Sequence, residues 1–474
     1  MPLVAFNIQE DRNLNMQYIV RRITNGPKHH LFGFHDLVQT NAKGDLALSL
    51  EVDDISHPPL PGETCKFGVV PAEGGEFIPI HATHTWNYPQ GARQQWVGDG
   101  DLFTCNDRDD KGNVFAWIAD GRIGETIDKL PFPVHCIDST RRLAFWFDYD
   151  RVYSCGGYGY CPLCNCSKHR LVDIPCDGGI WAGNLKTGDF DLLASLEDVA
   201  SCGEKRPVRT GFPHYVTHFM LSPSGKRMAF LHRYRVPDGG ETTRLMTIGT
   251  DGGTMRCLAK GFLSHFTWIS DDELIIWGEN QPAISAMREA TYLRIPGVLQ
   301  SAMVAKKLIR LVRILRGWHA VNSQNGASLS QSKAFLRIRD ASESCVEKIA
   351  VGFLTEDGHP MANPRALTLL VSDTYPHADG KRTLMFYDIH TEKRINVGMF
   401  QMIPNKPNPD SFDLNAAQSG MDSRVLKKSD MRLYLFARSG FHCDLHPRWS
   451  YDGKAAFFDS IHEGTRQIYR VDFQ

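Results

Sequence analysis

His446-Pro-Arg-Trp-Ser-Tyr-Asp-Gly-Lys454, running on into Ala-Ala-Phe-Phe-Asp-Ser460, reads as a short strand, a tight turn and a second, apolar strand. Asp-Gly supplies the turn, and aromatic and small residues in the following run suit a pleated, buried strand. The same phrase recurs at His218 (HFMLSPSGKRMAFLHR) and at His265 (HFTW with SDDELIIW behind it). Weaker copies start at His359 (HPMANPRALTLLVSD), His135 (HCIDSTRRLAFWFD), His35 (HDLVQTNAKGDLALSLE) and the Trp86 region (WNYPQGARQQWVGDGDLFTCND). A repeat of this kind declares the architecture before any single element does. Seven copies, several followed by outer strands such as TRLMTIGTDG with TMRCLAKG, predict an all-β chain: a seven-bladed β-propeller of four-stranded sheets.

The bulk numbers agree with one such ring across residues 1–474. A closed ring of sheets can use the whole length, and closure removes the free sheet edges that would invite aggregation. Lys and Arg total 53 against 54 Asp and Glu, a formal charge of −1, so no global field draws the protein to nucleic acid. The first residues carry Glu10 and Asp11 where a signal peptide needs an apolar run, which predicts a cytoplasmic protein.

Two insertions interrupt the repeat. The span 283–347 contains SAMVAKKLIRLVRILRGWHAV, where Lys306, Lys307, Arg310, Arg313 and Arg316 alternate with Val304, Leu308, Ile309, Leu311, Ile314 and Leu315. That pattern predicts a basic amphipathic helix around 301–320 in a late blade, packed on the propeller or meeting a membrane surface or an acidic protein. A second span, 155–176, gathers Cys155, Cys161, Cys164, Cys166, Cys176 and His169. The Cys161–Cys164 pair has the two-residue gap of structural zinc sites, so the loop is a candidate zinc staple, with free loop thiols as the plainer reading.

Chemistry enters through the histidines. In the three clearest copies the histidine stands three residues before the Trp or Leu that enters the hairpin, so equivalent blades present it at an equivalent place near the axis. A lone histidine at a strand start is more often a structural hydrogen-bonding group, but four at one repeat position point to a shared ligand. His218, His265, His359 and His446, with His442 and Asp444 beside the last, are therefore candidates for one divalent metal: manganese, zinc or iron. Arginines and tyrosines near the expected mouth (Arg93, Arg108, Arg151, Tyr158, Tyr160, Arg233, Tyr375, His377, Arg448) are candidates for gripping a carboxylate or moving a proton, although each also suits a structural role between blades.

At SPSGKRMAFLHR, SHFTW and DLHPRWSYDGKAAFFDSIHEGTRQIYRVDF the chain resembles the propeller proteins related to oligogalacturonate lyases. The resemblance implies a seven-bladed propeller that binds manganese through axial histidines and cleaves uronate-containing oligosaccharides by β-elimination. It implies His265, His446 and His442 as ligands, His218 or His232 as base, and Arg233 or Arg151 against the substrate carboxylate. The family's glutamine ligand has no clear counterpart before His442, and the insertion at 283–347 is foreign to the compact lyases. More distantly, ulvan-type lyases use a histidine and tyrosine pair, for which Tyr158 and Tyr160 with Arg151 would serve. A metal-dependent lyase acting on an acidic oligosaccharide is the leading expectation. A non-catalytic propeller binding glycans or proteins and a metal-dependent hydrolase are the alternatives.

Overall fold

The repeated turns form as their residues require. In SPSG the N–H of Gly225 bonds the carbonyl of Ser222 at 2.8 Å, and in SYDG the N–H of Gly453 bonds that of Ser450 at 3.0 Å. Both glycines sit at φ +71°, a region costly for residues with a Cβ. Each turn joins two antiparallel strands, and repetition of the unit builds the molecule. The computed structural model describes residues 18–165, 170–290, 297, 333–343, 345–402, 416–425 and 431–473.

Among the described residues, five sheets have four strands each and one has seven. The first unit runs His29–Leu31, Leu46–Val52, Cys65–Pro71, Ile78–Thr83. The second runs Gln95–Trp96, Leu102–Arg108, Val114–Asp120, Glu125–Leu130, and the third Cys136–Asp138, Leu143–Phe147, Gly179–Asn184, Phe190–Ser195. The seven-stranded sheet holds two units that share one long strand, Arg256–Trp268. Its first half pairs with Glu241–Gly249 and its second half with Glu273–Asn280. Counted in both, it gives seven four-stranded units among the described residues. The last unit is completed by the N-terminal strand Tyr18–Arg22, which pairs antiparallel with Gln467–Phe473 and so ties the two ends of the chain together. The propeller class expected from the repeat is thus borne out.

Neighbouring units are locked by the tryptophans of the phrase. The indole N–H of Trp96 donates to Gln39 O (3.1 Å), that of Trp268 to Met220 O (3.0 Å) and that of Trp449 to Met361 O (3.1 Å), each reaching the innermost strand region of the unit before it. All three rings are buried, so apolar surface is covered at each of these junctions.

The insertion expected over 283–347 is shorter than that span. Ala334–Arg339 and Val346–Ile349 are regular strands of the fifth unit, paired with Glu273–Asn280 and with each other. A short helix, Pro282–Glu289, follows the second strand of that unit, while the basic helix expected around 301–320 lies outside the described residues. The cysteine-rich segment enters between Leu143–Phe147 and Gly179–Asn184 of the third unit. No helix among the described residues is long and apolar enough to cross a membrane.

Candidate metal centre

The position three residues before each Trp, or its equivalent, is occupied in chain order by His35, Arg93, His135, His218, His265, His359 and His446. Two devices turn these side chains inward. The strand pairing slips between Thr217 and Met220 and again between Leu263 and Phe266, so His218 and His265 sit in bulges that re-aim a side chain. His218 (φ +59°), His446 (φ +41°) and Arg93 (φ +53°) also adopt left-handed backbone, uncommon for such residues. The result is convergence. Phe34 has its ring centroid 4.2 Å from His35, 4.8 Å from His218, 5.1 Å from His446, 6.1 Å from His265 and 6.4 Å from His359. His359 stands between His265 (4.2 Å) and His446 (4.3 Å).

Three of these imidazoles are held in one manner. The Nδ1–H of His359 donates to Asp373 Oδ1 at 2.8 Å, that of His446 to the carbonyl of Gly33 at 2.8 Å, and Nδ1 of His265 lies 3.1 Å from Asp357 Oδ1. An acceptor on Nδ1 fixes the tautomer and leaves Nε2 with its lone pair, the arrangement that supports histidine ligands in metal sites. Ligand atoms of His359, His446 and Asp444 lie within 4.8 Å of one another, all three residues buried. His442 Nε2 lies 3.2 Å from Asp444 Oδ2.

Electrostatics suit a cation. Burial, with His359 adding to it, holds His446 well below the usual imidazole range, and burial likewise lowers His265, His218 and His35. His359 is the exception: burial opposes its charge, but Asp373, with Asp444 and Asp357 behind it, outweighs burial and raises it. Burial would also raise Asp444, yet Arg382 at 2.6 Å and then His442 hold it well below the usual carboxylate range. Imidazoles kept neutral at His446 and His265, with His359 drawn toward the ionised Asp444 and Asp373, form a nitrogen and oxygen donor set fitting manganese, zinc or iron.

No family model and no curated protein matches the sequence. Among solved structures, an oligogalacturonate lyase from Vibrio parahaemolyticus aligns over 97% of this chain and 96% of its own with a TM-score of 0.51 and 11% identity. The chain is a β-propeller, similar in fold to that lyase. The propeller domain of the Trilobed protease from Pyrococcus furiosus aligns over 94% of this chain and 95% of its own (TM-score 0.42, 8% identity). An oligogalacturonate lyase in complex with manganese aligns over 100% and 97% (TM-score 0.39, 11% identity).

Around the centre of this propeller stand several of the residues singled out from sequence. Tyr375 lies with its ring 5.5 Å from that of His359 and 6.2 Å from that of His265. Arg233, on the strand paired with that of His218, contacts Glu241 at 4.0 Å and bonds the Tyr215 side chain, and its charge bears on His218 and His265. Tyr158 is half-buried beneath Arg438, whose guanidinium stands 5.2 Å from the ring centroid.

The other assignments require correction. His232 faces away from the axis into a buried cluster, its Nε2 3.0 Å from His214 Nδ1 and its Nδ1 3.3 Å from Arg244. Arg151 spends its guanidinium on the carbonyls of His214, Val172 and Asp173. Tyr160 is fully buried, stacked on Tyr149 and accepting from Asn106. Arg93 makes a two-point pair with Asp36 at 2.8 and 2.9 Å, Arg108 pairs with Asp150 at 2.6 Å, and Arg448 with Asp459 at 2.6 Å. His377 is held at a turn by Thr383 Oγ1 (3.1 Å) and Glu356 (3.5 Å). Each had the residue type for ligand contact, but the fold uses it to join strands or units.

Among the described residues the cysteines of the span 155–176 do not gather either. Cys155 is in a hydrophobic core, its thiol pushed up to about 12 by burial, and Cys161 packs with Tyr153, Met421 and Val425. Cys164 and Cys176 are exposed, Cys166 and His169 lie outside the described residues, and among the described residues no three of these cysteines form a ligand group. Sequence reading passed over His35, although it heads one of the repeat copies. Both its ring nitrogens are buried without a hydrogen-bond partner among the described residues. Its repeat position was the available signal.

Proposed function

We propose that this propeller is a metal-dependent enzyme acting on an acidic oligosaccharide, a lyase that cleaves beside a uronate by β-elimination. The observation that carries the reading is the freeing of Nε2 on His265, His359 and His446 by acceptors at Nδ1, next to the ionised Asp444. His359, His446 and Asp444 would hold the cation, with His265 adjoining. A divalent ion so held supplies Lewis-acid stabilisation of the uronate carboxylate as negative charge builds on it.

The chain's own residues supply the rest. Arg233 adds a fixed positive charge toward the same carboxylate, lowering the cost of removing the C5 proton. His218, kept neutral by burial and by the nearby Arg233, takes that proton. The C5–H electron pair becomes the C4=C5 double bond and the C4–O4 bond breaks. Tyr375, kept protonated by burial, is placed beside His265 and His359 to return a proton to the departing oxygen.

Metal analysis of the purified protein beside His359→Ala and His446→Ala tests this. The expected result is roughly one manganese, zinc or iron per chain, lost in both folded variants, together with unsaturated uronate products seen by ultraviolet absorbance. Metal retained by both variants would overturn the centre. Metal bound without unsaturated product would remove the lyase chemistry and leave a binding propeller or a hydrolase.

A further inference from the structure

Two cysteines outside the cysteine-rich span meet where the third unit hands over to the fourth. The short helix Leu196–Ser201 ends at Cys202, and an irregular connection, exposed over 203–206, leads from there to the strand His214–Leu221. This connection is held against the outer strands of the fourth unit at two points. Lys260, on Arg256–Trp268, pairs with Glu204 at 2.8 Å. Arg244, on the neighbouring strand Glu241–Gly249, donates through Nε to Cys257 Sγ at 3.3 Å and through a terminal nitrogen to the carbonyl of Cys202. One edge of a planar guanidinium therefore touches both cysteines, and its parallel N–H groups keep their acceptors side by side. Gly203 follows at φ +72°, and a Cβ added there would stand 3.5 Å from the Cβ of Cys257.

The surroundings are those of a reactive pair. Cys202 and Cys257 are half-buried, whereas Cys65, Cys105, Cys136, Cys155, Cys161 and Cys443 are buried. Arg244 is itself fully buried and is fixed from behind by the carbonyl of Val199 at 3.0 Å, so its charge stays beside the Cys257 sulfur. Thiols that react with oxidants are partly exposed and stand next to a cation. Burial raises the Cys202 thiol, with Arg244 acting against it, which suits Cys202 to the second step of an oxidation.

We infer that Cys257 and Cys202 are a peroxide-sensitive pair whose disulfide staples the connection 202–213 to the fourth unit. The Cys257 sulfur attacks a peroxide; its S–O bond forms as the O–O bond breaks, and the departing oxygen leaves as water with the thiol proton. Cys202 then attacks the sulfenic sulfur; an S–S bond forms, the S–O bond breaks, and that oxygen leaves as a second water with the Cys202 proton. Two thiols are oxidised and one peroxide is reduced. The site stands apart from the function proposed for the axis, and it lies at the entry to the strand that carries His218.

The test treats the full chain with hydrogen peroxide, alkylates the remaining thiols and maps the peptides by mass spectrometry. The expected product is a linked Cys202–Cys257 peptide that has lost two hydrogens and that dithiothreitol returns to two thiols, with hydrogen exchange across 203–213 slower in the oxidised protein than in the reduced one. Cys202→Ser should leave Cys257 as a sulfenic acid that dimedone captures, and Cys257→Ser should leave Cys202 a free thiol. Both changes are conservative at half-buried positions, and circular dichroism checks the folds. In the wild type, recovery of both cysteines as alkylated thiols, or linkage of either to a different cysteine, overturns the pair whether or not the variants fold. Dimedone capture at Cys202 in a folded Cys257→Ser protein overturns the order of attack.

Discussion

Asp373 bridges two units at the axis: its Oδ2 accepts the backbone N–H of His446 at 3.2 Å while its Oδ1 accepts both the N–H and the Nδ1–H of His359 at 2.8 Å. One carboxylate thus sets the backbone at one candidate ligand and the ring of another. It comes from the second strand of the sixth unit, Ala366–Asp373, whose regular pairing makes it a rigid support.

Asp373→Asn keeps the shape but can present only one acceptor oxygen, so either His446 loses its backbone bond or His359 loses both its ring anchor and its backbone bond. Metal affinity should fall about 10- to 100-fold, as for other carboxylates behind a metal-bound histidine. Competition titration against a chromogenic chelator reads this directly. Unchanged affinity would mean that the histidines hold their geometry without Asp373.

His218 and His232 lie on paired strands and were equal candidates for the base in sequence, yet they face opposite ways. His218→Gln should abolish turnover with metal content intact, because the proton acceptor is removed while His359, His446 and Asp444 are kept. His232→Gln should cost stability, through the buried contacts with His214 and Arg244, and leave turnover per folded molecule near the wild-type value. Kinetics normalised to the folded fraction separate the two outcomes, and the reverse pattern would move the base to His232.

That contrast shows what the sequence could convey. The phrase around Trp449, with its copies, carried the propeller class, because turn chemistry and strand composition are local properties repeated in register. It also carried the ring of histidines, since equal repeat positions must converge on an axis. It could not say which face of a strand His232 would take, because the bulge after Thr217 shifts the alternation of the inner strand. Nor could it show that Arg93 and Arg151 would be consumed by groups brought in from other units, Asp36 and the His214 carbonyl. Those partners are remote in sequence: Asp36 lies 57 residues from Arg93, and Gly33, which anchors His446, lies 413 residues from it.

Arg93 takes the repeat position that histidine holds in the other six units, and its role is structural. Both it and Asp36 are buried, with side-chain exposures of 0% and 3%. Arg93→Ala leaves that carboxylate unpaired and should destabilise the fold by about 3–5 kcal/mol, read from urea denaturation, with metal stoichiometry unchanged in the folded fraction. Adding Asp36→Ala should recover part of the loss. A substrate-contacting Arg93 would instead raise KM with little change in stability.

Acid should loosen the segment 416–425 where it grips the cysteine-rich loop. Burial alone would raise Asp422, but bonds from Arg424 and from the N–H of Leu171 outweigh it and hold the carboxyl at about 2. An unfolded aspartate titrates near 3.9. The folded value is the lower of the two, so the stabilisation is complete above about pH 4 and drains away as pH falls toward 2. Between pH 5 and pH 3 this one group should account for a loss of about 1 kcal/mol. Asp422→Asn should be less stable than the wild type at pH 5, and its stability should decline less steeply between the two values. Identical slopes for both proteins in denaturation series at the two pH values would show that the Asp422–Arg424 pair contributes nothing to the acid limb. In that case the loop would be held chiefly by the packing of Cys161 against Met421 and Val425.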